Sequence, residues 1–93
     1  MKHISIIIRG ENMKSEVYYV KRSSYRTRVM KSLKGDVMMP SEIAKDSEIL
    51  PNHISNTLRQ LRDHELVECL NPDAKKGRLY RLTDLGNDVI EEL

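Results

Sequence analysis

Apolar residues recur at helical spacing in four parts of this chain and alternate in two others. Tyr25, Val29, Met30 and Leu33 form the first stripe, with the Ser23-Ser24 hydroxyls ahead of it and Gly35 behind, which predicts a helix from about Ser24 to Lys34. In Met39–Asp46, Pro40 suits the first helical position, Glu42 suits the first turn, and Ile43 and Ala44 face inward, so a second, short helix is expected. Ser47-Glu48-Ile49-Leu50 reads as the connecting turn. Pro51 then opens a third helix ending near His64, with Ile54, Leu58 and Leu61 at i, i+4 and i+7 on one side. Its other sides carry Asn52, His53, Ser55, Asn56 and Arg59. Two short helices joined by a tight turn form a helix-turn-helix.

Beyond it the period changes. Leu66–Leu70 reads as a strand with Val67 and Cys69 on one face, Asn71–Arg78 as a turn-rich connection, and Leu79–Leu82 as the returning strand, with Tyr80 and Leu82 inward and Arg81 outward. Thr83 caps a last helix whose stripe is Leu85, Val89, Ile90 and Leu93. Residues 1–20 stand apart as an N-terminal extension, a strand or an arm. Ile4–Ile8 is rich in β-branched residues, Gly10-Glu11-Asn12 reads as a turn or linker, and Val17–Val20 packs on the domain. The expected class is α+β, mainly α: three helices, a two-stranded hairpin and a C-terminal helix in one domain, residues 21–93.

Ninety-three residues suffice for one small domain. No stretch approaches the roughly 20 apolar residues that cross a bilayer. The apolar start, Ile4–Ile8, stops at Arg9 with no small-residue cleavage site after it, which points to a cytoplasmic protein. Cys69 is the only cysteine, so no internal disulfide is possible, and a buried inert thiol is expected. His3, His53 and His64 are scattered without ligand spacing, so no metal site is expected. The chain lacks a Gly-rich phosphate loop, a nucleophile elbow and a paired acid–base constellation; neither an enzyme nor a cofactor is expected.

The net charge of +2 is unevenly spread. Lys21–Lys34 holds six basic residues (Lys21, Arg22, Arg26, Arg28, Lys31, Lys34) and no acidic one, whereas Thr83–Leu93 holds four acidic residues (Asp84, Asp88, Glu91, Glu92) and no basic one. Arg22, Arg26 and Lys31 either face a polyanion or pair with the acidic last helix.

Four segments together resemble a known family: Pro40-Ser41-Glu42-Ile43-Ala44, Ile54-Ser55-Asn56-Thr57-Leu58-Arg59-Gln60-Leu61, Leu66-Val67-Glu68, and Gly77-Arg78-Leu79-Tyr80-Arg81-Leu82-Thr83-Asp84-Leu85-Gly86. Over about residues 20–93 the chain resembles winged helix-turn-helix transcriptional regulators of the MarR-like and ArsR-like type, in particular their small archaeal members. The resemblance implies a third helix in the DNA major groove and a hairpin wing on the backbone or minor groove. By position, Pro51, Asn52, His53, Ser55, Asn56 and Arg59 would face DNA, and Lys75, Lys76 and Arg78 would sit on the wing. Two positions depart from the family: Glu48 and Glu65 stand where glycine is usual. A left-handed backbone there costs a non-glycine residue roughly 1 kcal/mol. The clustered cysteines of arsenic-sensing members are absent.

The residue types suit such a role. Asn56 can pair bidentately with adenine and Arg59 with guanine or phosphate; Asn52 and Ser55 suit phosphate oxygens. His53 suits a base or phosphate, or serves only as a polar first-turn residue. Lys75, Lys76, Arg78 and Arg81 against Asp73 give four minus one, or +3, on the hairpin. A solvated surface is the plain alternative for both groups. The expected function is a sequence-specific DNA-binding transcriptional regulator on double-stranded DNA, acting as a homodimer through Tyr18, Tyr19, Val20 and the last helix. The alternative is a protein–protein adaptor without specific DNA binding, which would favour apolar residues on the third helix's outer face.

Overall fold

The computed structural model describes residues 13–93. Within them the chain begins with a helix that the apolar pattern left unassigned, α1, residues 13–21. Then follow α2 (Ser24–Leu33), α3 (Pro40–Ser47), α4 (Pro51–Asp63), β1 (Val67–Cys69), β2 (Tyr80–Leu82) and α5 (Asp84–Ile90). The fold is mainly helical, with a two-stranded antiparallel sheet.

Sequence sets residues 1–20 apart as an extension; the structure makes part of that stretch a packed helix. Met13 and Val17 pack on the core and Val20 is fully buried within it. Valine and tyrosine are modest helix formers, so local propensity favoured a strand here, and tertiary burial of the i, i+4, i+7 stripe wins. The Val20 carbonyl accepts from Ser23 N at 3.1 Å and from Thr27 Oγ1 at 3.0 Å, closing the corner into α2. The strand expected at Ile4–Ile8 lies outside the described residues.

The predicted caps are in place. Ser23 Oγ accepts from Arg26 N at 3.2 Å to start α2, and Thr83 Oγ1 accepts from Gly86 N at 3.0 Å to start α5. Pro40 and Pro51 occupy the first positions of α3 and α4, and the Glu42 carboxylate accepts from Met39 N at 2.8 Å. Val29, Met30 and Leu33 of α2, Ile43 of α3, and Ile54, Leu58 and Leu61 of α4 meet in one core with Leu66, Val67, Tyr80, Leu82, Val89 and Ile90. Each large apolar side chain buried there contributes about 1.5–3 kcal/mol before entropy is charged.

Glu48 and Glu65 adopt the left-handed conformation, with φ of 59° and 58°. Each ends its helix with the same bond: Ile49 N donates to Ala44 O at 3.1 Å after α3, and Leu66 N donates to Leu61 O at 2.9 Å after α4. The reversal turns the next residue inward, so Ile49 and Leu66 are buried. Other contacts brace both turns. Arg28 Nη2 donates to Ser47 O at 2.6 Å and Glu48 O at 2.9 Å, and Thr83 Oγ1 donates to Glu65 O at 2.6 Å.

In the hairpin, Val67 faces Leu82, Glu68 faces Arg81 and Cys69 faces Tyr80. Tyr80 and Leu82 point inward and Arg81 outward, as alternation predicts. The structure adds a bridge on the far edge of β2. Met38 N donates to Tyr80 O at 3.0 Å and Tyr80 N to Met38 O at 2.9 Å, which ties the hairpin to the entrance of α3. No helix among the described residues is long and apolar enough to cross a membrane.

Candidate nucleic-acid interface

α4 is amphipathic by spacing, and the core takes Ile54, Thr57, Leu58 and Leu61. Burial of that stripe decides which side of the helix faces outward. Pro51, Asn52, His53, Ser55, Asn56 and Arg59 are therefore all exposed. Thr57 completes the buried side by donating its hydroxyl to His53 O at 2.9 Å. On the outer side, Arg59 donates to Asn56 Oδ1, so the two residues expected to read bases hold each other. The His53 ring lies 5.2 Å from that of Tyr25 on α2, tilted by 40°, which places it at the α2 edge of the face.

The loop between β1 and β2 is ordered by Asn71. Its Oδ1 accepts from Leu79 N at 2.7 Å and its Nδ2 donates to Gly77 O at 3.1 Å. Gly77 has φ of 68°, a conformation it adopts freely. Arg78 Nε donates to Ala74 O at 2.8 Å. Lys75, Lys76 and Arg78 are exposed on this loop.

Helix and loop meet across a cleft of about 330 Å³ lined by Pro40, Ser55, Leu58, Arg59, Arg62, Lys75, Arg78 and Tyr80. Thus two expected helix residues, Ser55 and Arg59, share one cleft with two expected loop residues, Lys75 and Arg78. Pro51, Asn52, His53, Asn56 and Lys76 do not line it. Among the described residues, four cationic side chains line the cleft and no carboxylate does. One of the four, Arg62, was absent from the sequence expectation. Its signal was available: Ser55, Arg59 and Arg62 stand at i, i+4 and i+7, a polar copy of the Ile54, Leu58, Leu61 stripe one residue along.

Other cations drop out of the expected set. Arg81 is paired across the hairpin with Glu68, Nε to Oε2 at 2.8 Å. Arg26 is committed to Tyr19 O at 2.9 Å and Gln60 Oε1 at 3.1 Å, facing neither the last helix nor solvent alone. Arg28 caps the end of α3. The basic run from Lys21 to Lys34 is thus partly internal wiring, because arginine offers five donors in a planar fork that suits backbone carbonyls at helix ends.

Solved structures share this architecture. A double mutant of ZitR from Lactococcus lactis matches with a TM-score of 0.65 at 22% identity, over 75% of this chain and 49% of its own. A MarR family transcriptional regulator from Silicibacter pomeroyi matches with a TM-score of 0.65 at 20% identity, over 99% of this chain and 68% of its own. The oxidised form of MarR from Escherichia coli matches with a TM-score of 0.63 at 17% identity, over 99% and 69%. The chain therefore spans about half the length of ZitR and about two thirds of the other two. No family model and no curated protein matches it. At these identities the likeness establishes the fold, a winged helix-turn-helix with α3 and α4 as its helix pair and the β1–β2 hairpin as its wing.

Proposed function

We propose that this chain is a sequence-specific DNA-binding transcriptional regulator, with α4 in the major groove and the wing loop on the backbone. The observation that carries the reading is the cleft between α4 and the wing, where Arg59, Arg62, Lys75 and Arg78 converge with no carboxylate among the described residues. A phosphodiester strand is an anionic partner that suits such a cleft, while Asn52, His53, Ser55 and Asn56 along the same helix suit base edges and phosphates. Its fold neighbours include a protein described as a MarR family transcriptional regulator, which agrees with this reading. Kinship with the small archaeal MarR-like and ArsR-like regulators, a cytoplasmic setting and a homodimeric state belong to the same proposal. In a two-fold dimer the α4 helices would lie about 34–36 Å apart, one turn of the duplex.

The adaptor alternative draws on Leu50, an apolar side chain 67% exposed just ahead of α4. It stands beside a polar face rather than within an apolar patch, so DNA is the better partner. Fluorescence anisotropy with random and upstream-region duplexes across a salt series tests the choice. Binding should weaken linearly in log K against log salt, with a slope of about −0.9 per neutralised phosphate. Absence of binding to every duplex at low salt would remove the reading.

A further inference from the structure

A second cluster joins α1, α2 and α4 on the side of α4 away from the wing cleft. The imidazole of His64, which caps the C-terminus of α4, stacks on the Tyr19 ring of α1 with centroids 3.7 Å apart and planes 14° from parallel. The Arg26 guanidinium of α2 also lies over that ring, Cζ 3.7 Å from its centroid. Two groups cannot share one position over a ring, so Tyr19 is sandwiched between them. Both ends of the stack are tied down. Both carboxylate oxygens of Glu16 lie 3.0 Å from His64 Nδ1. Arg26 reaches Tyr19 O and Gln60 Oε1. α1 thus holds α4 directly at His64 and, through Arg26 of α2, at Gln60; the two positions are four residues apart on one side of the helix, and Gln60 directly follows Arg59.

We propose that this His64–Tyr19–Arg26 stack positions α4 for base reading, so that the docking of α1 controls how well the outer face of α4 selects a DNA sequence. The proposal rests on the DNA-binding reading above. A face-to-face stack has one spacing and one plane, unlike the apolar contacts beneath α4, which tolerate small rolls and slides. The roll of α4 decides where Asn56 and Arg59 point. Backbone phosphate contacts are less demanding, because flexible cations follow a phosphate over a wider range than a bidentate base contact allows. Loss of the stack should therefore remove selectivity before affinity. Tyr19, Arg26, Gln60 and His64 are positioning residues in this account, and none of them touches DNA.

The test compares a duplex selected from a random library by the wild-type chain with a scrambled duplex of equal length. Tyr19→Ala should lower the preference for the selected duplex by about two- to thirtyfold, with binding to the scrambled duplex and its salt slope unchanged. Tyr19→Phe keeps the ring and should restore the preference. Gln60→Ala removes one link only and serves if Tyr19→Ala does not fold. By reciprocity, the selected duplex should slow amide exchange in residues 13–21 of the wild type and should not do so in the folded alanine variant. A folded variant with unchanged preference, equal losses on both duplexes, or unaltered exchange in the wild type on binding would overturn the proposal. A wild type that binds no duplex would instead fell the DNA-binding reading and this proposal with it.

Discussion

Glu48 and Glu65 hold a backbone conformation that glycine holds most easily, with φ near +60° in both. The left-handed position costs a side chain roughly 1 kcal/mol, and the buried Ile49 and Leu66 that follow are what the reversal gains. Glu65→Gly should therefore stabilise the domain by up to about 1 kcal/mol, less what glycine adds to unfolded-state entropy. Urea melts should show the midpoint rising at constant slope. Gly86 is the opposite case. A Cβ there would sit 2.1 Å from the Leu66 carbonyl oxygen, which is backbone and cannot swing aside. Gly86→Ala should cost about 1–3 kcal/mol by the same measurement. Asn56, exposed and bonded to Arg59, carries the residue-level prediction of the functional proposal. Asn56→Ala should weaken a cognate site by about 1–3 kcal/mol and relax preference at one position, read by anisotropy on a set of singly substituted duplexes.

At the scale of elements, the third helix was legible because two signals agreed. Its apolar stripe and its Pro51 start agree on a helix from Pro51 to near His64, and the structure gives Pro51–Asp63. The hairpin was legible for the same reason, since alternation at Tyr80–Leu82 matched the turn-rich segment before it. α1 was not, because its valines and tyrosines favour a strand locally and its helix is selected by what it packs against. The Met38 bridge was also hidden, because a single residue pairing across the chain leaves no period to detect. The wing's contribution to binding can be separated from that of α4. Lys76 is exposed on the loop and outside the cleft, so Lys76→Ala should weaken all duplexes alike and reduce the salt slope by about 0.9. A change in preference between duplexes would instead place Lys76 among the base-reading residues.

For the whole molecule, the charge pattern of the chain and the charge pattern of the surface are different things. The Lys21–Lys34 run contains more basic residues than the cleft, yet Arg26 and Arg28 are turned to carbonyls inside the fold. The cleft draws its four cations from two segments far apart in sequence. Tyr18 is 65% exposed on α1, the helix that also grips α4. If two copies associate through α1 and the last helix, light scattering should report twice the chain mass of 10.8 kDa. A strict monomer at high micromolar concentration without DNA would exclude a preformed dimer.

Sequence by itself determined where α2 to α5 start and which side of α4 is apolar, because caps, prolines and periodicity act within a few residues. It also marked Glu48 and Glu65 as odd. Tertiary structure alone decided that these glutamates are left-handed, that α1 is a helix, that Arg81 pairs with Glu68 outside the cleft, and that Tyr19 is clasped between His64 and Arg26. Each of these depends on contacts between distant segments, and neither local propensity nor spacing carries information about which partner a given guanidinium or ring will meet.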